Sequence, residues 1–185
     1  MAQTPSTMLS LGTKLPTFEL ADARTGKQIS SQSLLTTRGV LVMFICNHCP
    51  FVVHIRKELV RVANDALALE LSVVAINSNS IETHPQDGPS HMLELANLEG
   101  FRFPFLFDDT QAVAKAFTAA CTPDLFLFDG CGALVYRGQF DDSRPGNGKP
   151  VTGADLRSAI RAVLEGRPVA ADQKPSIGCS IKWHL

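Results

Sequence analysis

The sequence has no apolar run long enough to cross a bilayer. The longest, residues 39–45, falls far short of the ~20 residues that a membrane helix needs, and polar residues follow it at once. The opening Met1-Ala2-Gln3-Thr4-Pro5-Ser6 has neither a basic start nor an apolar stretch, so a secretory leader is not expected there and the cytoplasm is the expected location. An excess of one charge is also missing, with 17 Lys and Arg against 18 Asp and Glu. No predicted helix carries a stripe of Lys and Arg, which argues against nucleic acid as the main partner. Neither composition nor pattern points to a membrane. Internal repeats and low-complexity segments are absent, which excludes a solenoid or a linker-rich chain. There is one Cys-x-x-Cys and no second, so the usual four-ligand zinc spacing is missing.

What is present is an ordinary globular composition, 45% apolar and 19% charged over 185 residues. That suits one domain over residues 1–185, with a core at 10–168 and a C-terminal tail at 169–185. The apolar period switches repeatedly between two and 3.6. Strands at 16–20 and 27–30 flank a turn and form an N-terminal hairpin. A continuous β-rich run at 39–45 reads as a strand covered on both faces. From Pro50 the apolar residues Val52, Ile55, Leu59, Val62 and Ala66 line one face of a helix ending near Leu69.

A strand at 71–76, a loop at 77–89 and a helix at 89–99 follow. Then come a strand at 103–107, a helix at 109–117 with acidic Asp109 at its start, and a hairpin joining 125–128 to 133–137. Residues 141–153 read as a surface loop. Thr152 and Asp155 resemble an acidic capping box opening a helix that Gly166 and Pro168 stop. This order predicts an α/β fold, a mixed β-sheet with helices on both faces.

Five cysteines, an odd number, do not suggest a disulfide-stapled scaffold. Two of them lie in Cys46-Asn47-His48-Cys49-Pro50, where a buried strand hands over to a helix. Pro50 suits the first helical position, which makes Cys49 the N-cap, its sulfur facing the free amides of Phe51 and Val52. A thiolate there is stabilised by the helix end, so Cys49 is the candidate nucleophile and Cys46 its partner. His48, between them, is a candidate for tuning the pair. Two buried, inert thiols are the alternative.

These residues resemble the thioredoxin fold, in its peroxiredoxin-like (AhpC/TSA-related) group. Residues 41–55 are similar to the thioredoxin strand and helix that meet at Trp-Cys-Gly-Pro-Cys, with Cys49 in the first cysteine's place and Val52 in the second's. Cys46 then replaces the missing thiol from the other side. Cys121-Thr122-Pro123-Asp124, before an apolar strand, is similar to the loop that carries a cis-proline opposite the nucleophile. The resemblance implies that Thr122 and Pro123, with His48, shape a substrate groove, and that Cys121 lies near Cys49 as a possible resolving thiol or is simply core. Ile177-Gly178-Cys179 and Trp183 resemble the group's ending, and Cys179 is either a resolving thiol or part of a docked tail.

The resemblance implies an oxidoreductase acting on a disulfide-containing protein, a small thiol or a hydroperoxide. No cofactor is implied, and electrons would come from a thioredoxin or glutathione system. Disulfide reduction is the first reading and thiol peroxidase the second. Peroxiredoxins use Thr-x-x-Cys and an Arg near the cis-proline, whereas here Cys46 and Pro123 stand at those positions. Arg137 or Arg144 would have to supply the charge. A soft-metal site for zinc or copper is the third reading, with Cys46, His48, Cys49 and His54 as ligands, to which Cys179 and His184 could add. His84 and His91 are expected in loops at the surface, Cys131 in an exposed turn. Asn77-Ser78-Asn79, Pro85-Gln86-Asp87, Asp141 and Asp142 are read first as turn formers and second as cleft residues.

Overall fold

The computed structural model describes residues 3–185. In chain order its elements are β1 (Gln3–Pro5), β2 (Glu19–Asp22), β3 (Gln28–Ser30), α1 (Ser31–Leu34), β4 (Val40–Phe44), α2 (Pro50–Ala68), β5 (Ser72–Asn77) and a 3-10 turn at Pro85–Asp87. They continue with α3 (Pro89–Glu99), β6 (Phe105–Phe107), α4 (Ala112–Ala116), β7 (Cys121–Thr122), β8 (Asp124–Phe128), β9 (Leu134–Gly138), α5 (Ala154–Leu164) and β10 (Ile177–Ser180).

Among the described residues, seven strands form the main sheet in the order β3-β2-β6-β5-β4-β8-β9. β4, β5 and β6 are parallel neighbours, and the other pairings are antiparallel. β4 shows why the central run has no polar alternation. Val40, Val42 and Phe44 pack into one core with Val74, Ile76, Phe126 and Phe117, while Leu41 and Met43 pack into the other with Val73, Leu125, Val52 and Leu59. Both faces are covered, so both sets of alternate residues must be apolar. Helices α2, α3 and α5 lie on one face and α1 and α4 on the other. The mixed sheet, the N-terminal hairpin of β2 and β3, and helices on both faces are as expected. No helix among the described residues is long and apolar enough to cross a membrane.

A second sheet, β1-β10-β7, forms from segments with little strand pattern of their own. β10 runs antiparallel to both neighbours, with Cys179 opposite Gln3 on one side and Thr122 on the other. The last residues are thereby drawn onto the end of the main sheet where β4 delivers Cys46.

Three local expectations are corrected. α4 begins at Ala112 rather than 109, because Gln111 takes a left-handed φ of 61° and breaks the run. Asp108, not Asp109, accepts from the Val113 and Ala114 amides. The capping box at Thr152 and Asp155 does not form: Gly153 is the N-cap of α5 at φ 66°, and Asp155 accepts instead from Gln139 Nε2. A side chain at Gly153 would also meet the Phe140 ring, since its Cβ would lie 2.5 Å from Cζ. The loop at 141–153 is not all surface. Asp141 and Ser143 are each 3% exposed.

Asp141 ties this loop down by accepting from the amides of Ser143, Thr152 and Gly153. Burial pushes its carboxyl up, but the Ser143 hydroxyl and those three amides outweigh it and hold it below the usual carboxylate value. A depressed folded value adds stability above the unfolded pKa, lost as the pH falls through the folded one. Asp141→Ala is expected to lower stability by about 2–3 kcal/mol at neutral pH, from the loss of charged hydrogen bonds to buried amides. Urea unfolding across pH should show the gap to the parent closing in acid.

Candidate active site

β4 ends at Phe44, and the two residues after it, Ile45 and Cys46, are still buried. Pro50 then stands at the first position of α2, where its missing amide hydrogen costs nothing, and Cys49 is the N-cap. This is the expected local structure. The direction of the sulfur is not. Cys49 makes no side-chain capping bond, and its Sγ instead donates to the Thr122 carbonyl oxygen at 3.2 Å. Cys46 Sγ lies 3.3 Å from the Thr122 hydroxyl, so Thr122 meets one cysteine with its backbone and the other with its side chain. The Thr122-Pro123 peptide is cis, as the resemblance implies.

Cys46, Cys49, Cys121 and Cys179 are all buried, and all five cysteines are free, with Cys131 exposed. The Cys46 thiol hydrogen-bonds to the Cys49 sulfur, and the Cys179 thiol adds a second such bond. A sulfur that accepts two S–H donors is stabilised as the thiolate. The Cys49 pKa is therefore well below the ordinary thiol value, against the opposing effect of its burial, with the Val52 amide and the Cys179 backbone assisting. Of the two amides expected at the sulfur, only that of Val52 contributes. The Thr122 carbonyl favours the protonated form and works against the shift. Cys46 is pushed the other way, first because it is the donor to Cys49, then by burial and by the charge of Asp87. Burial and the bond to Cys49 likewise raise Cys179. Cys121 is raised by burial and points to the Pro123 carbonyl at 3.6 Å, away from the exchange.

The neighbourhood of His48 was the least legible part. His48 Nδ1 lies 2.7 Å from Asp87 Oδ2, and the His48 ring stacks on His84 with centroids 5.1 Å apart. His84 is thus beside the site rather than a detached loop residue. Asp87 also accepts from the Asn47 amide and from Asn79 Nδ2, while Asn77 Nδ2 donates to the Asp87 backbone. Asn77, Asn79 and Asp87 are buried, so they brace the Cys46 turn instead of serving only as turn formers. The sequence signal was the density of Asn and Asp at the end of a buried strand. Asp124, next to Pro123, was missed as well. It is fully buried, and burial pushes its carboxyl up to about 7.

Of the candidate metal ligands, Cys46 and His48 have ligand atoms within 4.8 Å of one another and of Asp87, which was not expected as a ligand, and Cys49 is outside this group. His54 and His184 are not in this group, and His184 faces the Asp109 carbonyl oxygen through its ring. Cys179 adjoins Cys49 and not His184. Arg137 is engaged by the Leu9 carbonyl and by Gln173. Arg144 donates to the carbonyls of Asp141 and Ser143 and to Gln139, and it lines a small recess with Pro123 and His54. Asp142 is exposed and pairs with Lys174 and Lys149.

A sheet of this order, with a cysteine capping the helix after its central strand and a cis-proline against that cysteine, defines a thioredoxin-like fold. Solved structures agree. The chain is similar to the peroxidoxin BcpB of Mycobacterium tuberculosis, at 20% identity and a TM-score of 0.62 over 85% of this chain and 97% of that one. The profile of the AhpC/TSA family matches residues 11–137, and the chain belongs to that family. A conserved, uncharacterized protein of Geobacillus kaustophilus is 52% identical, with a TM-score of 0.97 over 100% of this chain and 97% of that chain. A hypothetical protein of Sinorhizobium meliloti 1021 is 49% identical, with a TM-score of 0.95 over 98% and 99%. No curated protein matches the sequence.

Ultraviolet absorbance of the thiolate, followed against pH, should show one thiolate that persists well below the ordinary thiol range and is lost in Cys49→Ser. Cys46→Ala, which removes the first donor, is expected to move that titration upward. Cys46→Ser keeps a hydroxyl donor and should move it less.

Proposed function

We propose that the protein is a thiol–disulfide oxidoreductase that reduces disulfides, with Cys49 as nucleophile and Cys46 as its resolving partner. The observation that supports this most is the Cys49 sulfur receiving hydrogen bonds from two thiols while it sits against Thr122, beside the cis-proline. The Cys49 thiolate attacks one sulfur of the substrate disulfide and releases the other as a thiolate. Once Cys49 is in a mixed disulfide it no longer accepts from Cys46, and the main restraint on the Cys46 proton is gone. His48 and Asp87, within 4.8 Å of Cys46, offer the acceptor for that proton. Cys46 then attacks Cys49, releasing the second substrate thiol and leaving a Cys46–Cys49 disulfide for a thioredoxin or glutathione system to reduce. With five free thiols, the protein suits a reducing compartment, and the cytoplasm is the proposed location. Its substrates are disulfide-bearing proteins or small disulfides.

Peroxidase activity is the second reading, supported by the family and by Arg144 lining a recess with Pro123. Yet the Arg144 guanidinium is already bound to two carbonyls and Gln139, and Cys46 takes the place of the hydroxyl that orients peroxide. Loss of oriented donors lowers rates by about 10²- to 10³-fold. Stopped-flow oxidation is expected to show a small disulfide reacting with Cys49 and hydrogen peroxide reacting slower than a peroxiredoxin by about that factor. Cys49→Ser should abolish both. A peroxiredoxin-like rate with peroxide and none with the disulfide would reverse the order of the two readings.

A metal at Cys46, His48 and Asp87 is the third reading. Purified protein is expected to keep its fold and Cys49 reactivity under strong chelation. Stoichiometric zinc or copper, with unfolding on its removal, would favour the metal instead.

A further inference from the structure

His54 Nε2 and Arg144 Nε are buried polar atoms without a hydrogen-bond partner. Both residues line the same small recess, together with Phe51, Pro123, Ser176 and Ile177. The disulfide mechanism uses neither of them. Buried N–H groups almost always find an acceptor, so two of them on one recess call for an oxygen from outside the chain.

Arg144 gives the recess its preference for an anion. Its Nη1 donates to the carbonyls of Asp141 and Ser143 and its Nη2 to the Gln139 side-chain oxygen, all of them neutral acceptors. The Asp141 carboxylate spends one oxygen on Ser143 and the other on the Thr152 and Gly153 amides. No ion pair among the described residues includes Arg144. Its charge is thus held in place by neutral groups, with the Nε–H still unspent. A charged donor gains most from a charged acceptor. The recess has a volume of about 10 Å³, enough for about one oxygen atom. That suits one oxygen of a carboxylate whose remainder stays outside.

We propose that this recess is a carboxylate subsite, in which His54 Nε2–H and Arg144 Nε–H bind a carboxylate that a small disulfide carries a few bonds from its sulfur. The inference rests on the thiol–disulfide reading of Cys49 and names the substrate class. His54 stands in α2 five residues after the Cys49 N-cap, about 7.5 Å along the helix. Helical side chains lean toward the N-terminus, which brings the His54 ring back toward the Cys49 end. From the other side Pro123 forms part of the wall, and Thr122 before it meets both the Cys46 and the Cys49 sulfurs. Ser176 and Ile177 bound the recess, so a carboxylate fills it with β10 in place. The Cys179 bond to Cys49 is kept.

The probes are dithiodibutyrate and its diamide, a neutral counterpart of the same shape. Binding is read apart from reaction in the full chain with Cys49→Ser and Cys131→Ser, by nitrogen NMR of the Arg144 Nε–H and the His54 ring. Dithiodibutyrate is expected to shift both resonances and the diamide neither. No shift, or equal shifts from the diamide, would overturn the subsite. Reaction is followed by mass in the chain with Cys131→Ser alone. Cys49 is expected to form its mixed disulfide about tenfold faster with dithiodibutyrate than with the diamide, the reverse of the order that repulsion between two anions gives in free solution. His54→Leu should bring that ratio close to one, and a preference that survives the change would overturn the subsite. The NMR needs no change at either residue, so it decides if His54→Leu does not fold. Equal rates for the two disulfides would sink only this inference. Shifts at both residues, with no reaction of Cys49 toward either disulfide, would uphold the carboxylate site and sink the oxidoreductase reading.

Discussion

The Cys49 sulfur is buried, yet two thiol donors favour its negative form. Burial alone would drive it toward the neutral thiol, as it does for Cys121. The donors that reverse this come from separate parts of the chain. Cys46 is carried by the turn after β4, and Cys179 by the C-terminal strand. Each must be held within hydrogen-bond reach, and the surrounding structure serves that need. β4, packed on both faces, fixes where the turn begins. The Asn79–Asp87–Asn47 bonds hold the turn's far side. β10 is held between β1 and β7.

The arrangement departs from the thioredoxin pattern in an orderly way. With Val52 on the helix, the second thiol has moved to the strand's end and lies under the helix start rather than one turn into it. There it meets the Thr122 hydroxyl and the His48–Asp87 pair, which the helix position would not offer. The same substitution removes the hydroxyl that a peroxide site would use at residue 46. Under the proposed function, this one position would bear on both the resolving partner and the substrate.

Much of the fold was legible because its elements are long and periodic. β4 had an unbroken apolar run, and α2 had apolar residues at three- and four-residue spacing from a proline start. α3 spans the expected residues 89–99. Cys46 and Cys49 both meet Thr122, beside Pro123, an arrangement that the resemblance to the cis-proline loop implied and no local pattern carried. What escaped the sequence depends on tertiary pairing. β1 and β10 are short and have no alternation; β1 becomes a strand by pairing with β10, and β10 by lying between β1 and β7. Asp87 looked like a turn former because its partners Asn47 and His48 lie far back along the chain, Asn47 by 40 residues. The sulfur's orientation toward Thr122 also could not be read from the N-cap position, since a long-range neighbour sets it.

The measurement that bears most directly on the central claim is peptide mapping of the disulfide formed when the reduced protein is oxidised by a stoichiometric small disulfide. Cys49 should be present in the first intramolecular bridge, joined to Cys46. A bridge that omits Cys49, whether Cys46 with Cys179 or Cys131 between two chains, would contradict the assignment of Cys49 as the attacking thiol.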